Sequence, residues 1–289
     1  MSSIFNFFAD IFGYALNFIY NIVDNYGVAL IIFTILLKLL MLPMSIKQQK
    51  TMKKSAKIQA LGKEIQEKYS NDPQKMNQEM MDLYKKENMS PLSGCLSSIL
   101  QIIIILSIFF LVSKPLTYMK KVDTEVINEY TTKITENSET KVNYQEIAII
   151  RKYAAEDDKL YINMNFLGLD LSDIPTENLT NWKVYIIPAL YIITSITSMK
   201  MNTVMAQKDA EKNKKTKEEK EDKKENNKEE LNQEDMVVEM NKNMSYIMPF
   251  MTVSIALIAP LGLALYWFVN NILMMGERVL LNKIVKNEE

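Results

Sequence analysis

The chain has 289 residues, of which 48% are hydrophobic, and its 34 Lys and Arg nearly balance its 35 Asp and Glu. The apolar residues are collected in blocks between charged blocks, which is typical of a multi-pass membrane protein and not of one globular core. Histidine is absent and Cys95 is the only cysteine, which argues against His-based catalysis, His or Cys metal clusters and an intramolecular disulfide. We therefore predict no enzyme activity, no cofactor and no metal site.

The first segment, residues 1–24, lacks the basic region and cleavage motif of a signal peptide and the Arg-rich character of a transit peptide. This favours a bacterial protein of the cell membrane. On a helix, its Asn and Asp residues form a narrow polar stripe opposite a broad apolar side. We predict an amphipathic helix that lies in the membrane interface, with a short first span as the alternative.

Five apolar runs follow, and they predict an all-α integral membrane protein. The predicted spans are 25–43, 92–113, 182–200, 244–259 and 261–281. One helix through the last two runs would be about 45 Å long against a hydrocarbon core of about 30 Å, so Pro260 and Gly262 predict a tight turn between them. Lys residues follow the first run directly and do not precede Lys38, so the positive-inside rule predicts an N-out, C-in topology.

The segments between the spans are polar. Residues 44–91 carry two amphipathic patterns around a break at 70–73, which predicts a cytoplasmic helical hairpin. Its methionines offer an adaptable surface for apolar clients, or they only pack the two helices together. The residues concerned are Met52, Met76, Met80 and Met81. The remaining segments are an extracytoplasmic loop at 114–181, a charged cytoplasmic loop at 201–243 and a short cytoplasmic tail at 282–289.

Lys38 is a lone cation in the first apolar run. At a helix centre a charge costs roughly 2.5–3.5 kcal/mol, which makes such a residue a candidate for function. The alternative is that its flexible stem snorkels to the membrane surface, and spacing alone does not decide between the two. A single polar residue in a span usually forms a hydrogen bond between helices and has only a structural role. The polar residues of these spans taken together, however, predict a hydrated groove around Lys38. They include Thr34, Gln101, Ser195, Ser198, Asn270 and Asn271.

Several motifs resemble the YidC/Oxa membrane-protein insertase family. The matching stretches, in order, are IIFTILLKLLMLPMSIKQ, DPQKMNQEMMDLYKKE, MSPLSGCLSSILQ, FLGLDLS and MSYIMPFMTVSIALIAPLGLALYWFVNNI. The resemblance implies five helices around a hydrophilic groove that is open to the cytoplasm and to lipid. It also implies that the groove inserts nascent membrane proteins into the bilayer without nucleotide hydrolysis, alone or with the Sec translocon, and with the ribosome as a further partner.

The resemblance places the positive residue of the groove at Lys38 and the aromatic residue of the last span at Trp267. Most relatives carry Arg at the groove position, so this chain keeps the charge but not the planar fork of the guanidinium. The alternative function is a small-solute transporter or channel, and a purely structural scaffold is a third reading. We predict no nucleic-acid site. Within the spans, the apolar runs themselves contain no Asp or Glu, which argues against a proton-coupled pump. These runs are 26–42, 96–112, 182–199, 245–259 and 261–275.

Overall fold

The computed structural model describes residues 2–87, 93–136, 143–218 and 254–286, and it is mainly helical. Its α-helices are α1 (Ser2–Val23), α2 (Tyr26–Lys68), α3 (Pro73–Lys86), α4 (Ser93–Ser113), α5 (Pro115–Tyr118), α6 (Thr124–Glu136), α7 (Gln145–Tyr153), α8 (Ile186–Glu218) and α9 (Leu261–Lys286). One antiparallel hairpin, β1 (Asn165–Phe166) and β2 (Leu169–Asp170), lies in the loop before α8. Two compact units result. The first comprises Met1–Asp24, Ala29–Tyr161 and Gly276–Glu289, and the second Asn25–Val28 and Ile162–Met275.

In the first unit, α1 packs against α4 and α5 through a face of small and apolar residues, with Ala9 and Leu16 fully buried. Part of its polar stripe contacts the protein. The Tyr118 hydroxyl donates to Asn6 Oδ1 at 2.9 Å, and the Lys121 ammonium pairs with the Asp10 carboxylate. Two members of the predicted polar stripe, Asn6 and Asp10, thus contact α5 and the residues just after it.

A second apolar face of α1 has no cover from the described residues. The exposed large side chains on this helix recur every three or four residues, so they form one continuous stripe. They are Ile4, Phe7, Ile11, Tyr14, Phe18 and Ile22. An exposed apolar stripe of this length indicates contact with something other than water. The interfacial position of α1 stays a prediction. In that position, the exposed apolar stripe would contact lipid.

Helix α2 continues through Pro43, where the sequence predicts the first span to end. Its 43 residues make a helix about 65 Å long, about twice the hydrocarbon thickness. Proline removes one backbone hydrogen bond and crowds the preceding turn, yet α2 is helical on both sides of it. The first span and the first arm of the predicted hairpin are therefore one helix.

The second arm of that hairpin is α3, which begins after a turn at residues 69–72. The Asp72 side chain accepts a hydrogen bond from the Lys75 N–H at 3.1 Å, and Pro73 occupies the first position of the helix. Both are standard helix-start chemistry. Met80 lies over Gly62 of α2, with its methyl carbon 3.1 Å from where a Cβ on that glycine would stand. The two arms therefore approach closely at Gly62.

Two helices in the described part are long and apolar enough to cross a membrane, Tyr26–Thr51 and Trp182–Met205, and Ile99–Ser113 is a shorter apolar helix. Exposed Leu and Ile side chains cluster on them, as on Leu39, Leu40 and Ile193. This is consistent with a membrane location, because side chains that face lipid need no protein cover.

In the second unit, the loop that carries the β-hairpin is tied to the starts of α2 and α9. The Tyr26 N–H donates to the Asn163 carbonyl at 3.0 Å, and the Gly262 N–H donates to the Leu171 carbonyl at 2.9 Å. Residues 254–258 are helical and α9 begins at Leu261, so a break falls at the predicted turn. Residues 219–243 of the predicted charged loop and 244–253 of the predicted fourth span lie outside the described residues.

Candidate functional site

Lys38 lies on α2 and faces the end of α9 that belongs to the first unit. Its ammonium Nζ is 3.2 Å from Oε2 of Glu277 on α9, and the two side chains are only 24% and 14% exposed. The next two residues, Leu39 and Leu40, are exposed, so the apolar and charged sides of this turn are distinct. A cation with a carboxylate partner inside the protein is the usual arrangement for a charge at membrane depth.

Thr34 precedes Lys38 by one helical turn and is buried. Its hydroxyl donates to the Leu30 carbonyl at 2.6 Å. The side chain therefore satisfies its own donor within α2, which is common for Thr in apolar helices. Only the acceptor side of this oxygen is left for a ligand.

Gln101 on α4 is half-buried and contacts α2. The amide nitrogen of Gln48 is 3.5 Å from the Gln101 side-chain oxygen, at the long end of the range for a hydrogen bond. Ten residues separate Gln48 from Lys38, so these contacts occupy different levels of α2. A bond this long is weak, and a polar ligand can replace it at little cost.

The second unit contains the other predicted residues of the spans. The Trp267 ring of α9 lies 5.5 Å from the Tyr191 ring of α8. Ser195 and Ser198 follow along α8 and are half-exposed, as are Asn270 and Asn271 on α9. The side-chain nitrogen of Asn270 is 3.5 Å from the sulfur of Met274, which is a weak acceptor. Polar groups on both helices thus retain capacity for hydrogen bonds.

The methionines predicted to contact clients differ in exposure. Met81 on α3 is 57% exposed, while Met76 and Met80 are half-buried and Met80 lies over Gly62. Met80 therefore packs the arms together, which was the alternative reading, while Met81 has the exposure that a contact surface requires. The side chain of Met52 lies outside the described residues.

The structure thus distributes the predicted site over both units. Lys38, Thr34 and Gln101 belong to the first unit, and the residues on α8 and on 261–275 of α9 belong to the second. Glu277 falls within the predicted fifth span, 261–281, but the sequence interpretation missed it because it lies two residues beyond the apolar run that ends at Met275. One signal was present: Glu277 follows Asn270 by seven residues, which places both on the same side of a helix.

A family model described as 60Kd inner membrane protein matches residues 18–288. A protein of Caldanaerobacter subterraneus subsp. tengcongensis named Membrane protein insertase YidC is 45% identical over 97 residues, which cover 34% of this chain and 47% of that protein. A protein of Oleidesulfovibrio alaskensis with the same name is 46% identical over 105 residues, 36% of this chain and 20% of the relative.

A third relative, from Francisella tularensis subsp. novicida, has the same name and is 40% identical over 105 residues, 36% of this chain and 19% of that protein. The matched part thus spans under half the length of each of these relatives. The family match, by contrast, covers nearly the whole chain and agrees with the motifs on α2, α3 and α9. The protein belongs to the 60Kd inner membrane protein family, which is the YidC/Oxa family that its motifs resemble.

Proposed function

We propose that this protein is a membrane-protein insertase with five spans, N-out and C-in, in the bacterial cell membrane. Its clients are nascent membrane proteins with short hydrophilic tails, which it inserts alone or beside the Sec translocon and the ribosome. The single observation that carries the proposal is the half-buried Lys38, a cation on an apolar helix whose outer side presents exposed leucines. The names of the relatives support the same function.

Lys38 attracts acidic residues of the client tail in this mechanism. A charged residue at membrane depth costs roughly 2.5–3.5 kcal/mol of insertion free energy. Pairing between the Lys38 ammonium and a client carboxylate lowers this cost for both charged groups. Gln101 and Thr34 offer hydrogen bonds on the same unit. Ser195, Ser198, Asn270 and Asn271 offer them on the other, and Met81, Met76 and Met52 are the proposed first contacts in the cytoplasm.

The client span leaves sideways between α8 and α9. The Tyr191 and Trp267 rings contact each other between these two helices, so in this mechanism the rings separate during release. Burial in lipid drives the step: about 20 Leu-like residues gain roughly 6–12 kcal/mol on the insertion scale, more than one or two charged tail residues cost. Nucleotide hydrolysis is therefore unnecessary.

The test uses purified protein in liposomes and a single-span client with an acidic tail. Insertion is measured as the fraction of tail that becomes protected from external protease. We expect Lys38→Arg to retain the initial rate and Lys38→Ala to lower it about three- to tenfold, equivalent to about 0.6–1.4 kcal/mol. Lys47→Ala is the matched control, because Lys47 is an exposed lysine of the same helix.

Two outcomes would contradict the proposal. If liposomes with and without the protein insert the client equally, the insertase function is wrong. If Lys38→Ala matches Lys38→Arg for acidic and neutral tails alike, the function stands but the attraction by Lys38 does not. Ion flux through the same liposomes tests the alternative of a channel, for which we expect no protein-dependent conductance.

A further inference from the structure

The partner of Lys38 is a carboxylate that uses only half of its bonding capacity. Oε2 of Glu277 contacts the ammonium, whereas Oε1 is buried and accepts no hydrogen bond from the residues that the structure describes. A buried acceptor without a partner costs free energy, and buried ion pairs recover their desolvation cost only when their remaining atoms are also bonded. The Lys38–Glu277 pair is therefore an incompletely satisfied one.

The association of α2 with α9 does not depend on this ion pair alone. Further along the same two helices, the side-chain nitrogen of Gln49 donates to Asn282 Oδ1 at 3.3 Å. This contact is uncharged and remains when the carboxylate is neutralised. The ion pair is thus free to exchange partners while the two helices stay in contact.

We propose that Glu277 is an internal competitor for the cation, which an acidic residue of the client tail displaces from Lys38. The proposal rests on the proposed function and specifies its selectivity: a tail must bring an anion that binds Lys38 better than Glu277 does. A neutral tail makes no such exchange, so Glu277 sets the preference between acidic and neutral tails. Arg278, the half-buried cation next to it, is unchanged in every variant below.

The exchange is measured with the purified full chain in detergent and a fluorescent tail peptide that contains two Asp, against a peptide with two Asn. We expect Glu277→Gln to tighten binding of the Asp peptide about fivefold and to leave the Asn peptide unchanged. A fivefold change equals about 1 kcal/mol, the upper end of the range for a partly exposed ion pair. The gain should disappear in the Lys38→Ala background, because no cation is left to compete for.

Glu277→Asp separates competition from general repulsion. It keeps the negative charge but shortens the side chain, so the 3.2 Å contact is lost. Competition predicts a gain for the Asp peptide with this variant also, whereas repulsion predicts none. Asn282→Ala, which removes the neighbouring uncharged contact, is the matched control and should show no gain. Thermal unfolding of each variant verifies that it is folded.

Three results would overturn the proposal: no gain with folded Glu277→Gln or Glu277→Asp, an equal gain in the Lys38→Ala background, or an equal gain for the Asn peptide. Each is independent of insertion, since binding is measured without a membrane. A Lys38-dependent gain in binding together with absent insertion in liposomes would instead refute the proposed function and leave the exchange between carboxylates standing.

Discussion

Gly13 on α1 lies against the backbone of α5 so closely that no larger residue fits. A Cβ at this position would stand 1.9 Å from the Tyr118 carbonyl oxygen, whereas ordinary contact begins at 3.4 Å. Gly13→Ala must therefore separate the two helices by the difference, about 1.5 Å. That movement also breaks the 2.9 Å hydrogen bond from the Tyr118 hydroxyl to Asn6.

The expected cost follows from these two effects. Overpacking costs about 1–3 kcal/mol and a neutral hydrogen bond about 0.5–1.5 kcal/mol, while Ala gains about 0.8–1 kcal/mol over Gly in a helix. The net destabilisation of the α1–α5 contact is about 2 kcal/mol, which corresponds to roughly 30-fold faster amide exchange in residues 114–121.

Hydrogen exchange followed by mass spectrometry measures this change directly. Gly276→Ala is the control, because a Cβ there meets nothing within 4 Å among the described residues, so its exchange in 114–121 should not change. If Gly13→Ala behaves like Gly276→Ala, the close approach of α1 to α5 is wrong.

Two further predictions concern the segment between α4 and α8. Glu146 is buried, and this raises the pKa of its carboxyl above the ordinary 4.5, although the 2.9 Å and 2.6 Å hydrogen bonds from Thr117 act in the opposite direction. Because the pKa is raised, the folded protein binds this proton more tightly than the unfolded chain does. The resulting stabilisation is complete below pH 4.5 and is lost as pH rises through the folded pKa, so amide exchange at α5 should speed up over that pH range. Glu146→Gln should abolish this pH dependence. Leu167 is 87% exposed and has a φ of +53° at the first position of the β1–β2 turn. Asn adopts a positive φ at lower cost than Leu, so Leu167→Asn should slow amide exchange in the hairpin by up to about fivefold. Faster exchange would instead mean that the leucine side chain has a partner.

The sequence predicts the helical class and Lys38 because both depend on local patterns. A lone cation in an apolar run is visible without any structure. Its partner Glu277 could not be recognised in this way, because Glu277 lies beyond the apolar run that ends at Met275 and 239 residues from Lys38 in the chain. The first apolar run ends at Pro43, but the helix does not, since α2 continues to Lys68. The stripe on α1 was recognised as polar, while its pairing with Tyr118 and Lys121 depends on a loop whose path the pattern does not specify.

For the proposed insertase function, a weak ion pair suits the exchange with clients better than either extreme. A cation without a partner would cost roughly 2.5–3.5 kcal/mol at membrane depth, and the helix would gain from moving it toward water. A fully bonded pair would hold Lys38 against any client, because exchange would then sacrifice several hydrogen bonds at once. Glu277 has one contact of 3.2 Å, and its other carboxylate oxygen accepts no hydrogen bond from the described residues. In the proposed exchange, Glu277 therefore holds the lysine inside the protein, and a client carboxylate replaces it at little net cost. In this proposal, the incomplete bonding of Glu277 is what makes the site exchangeable.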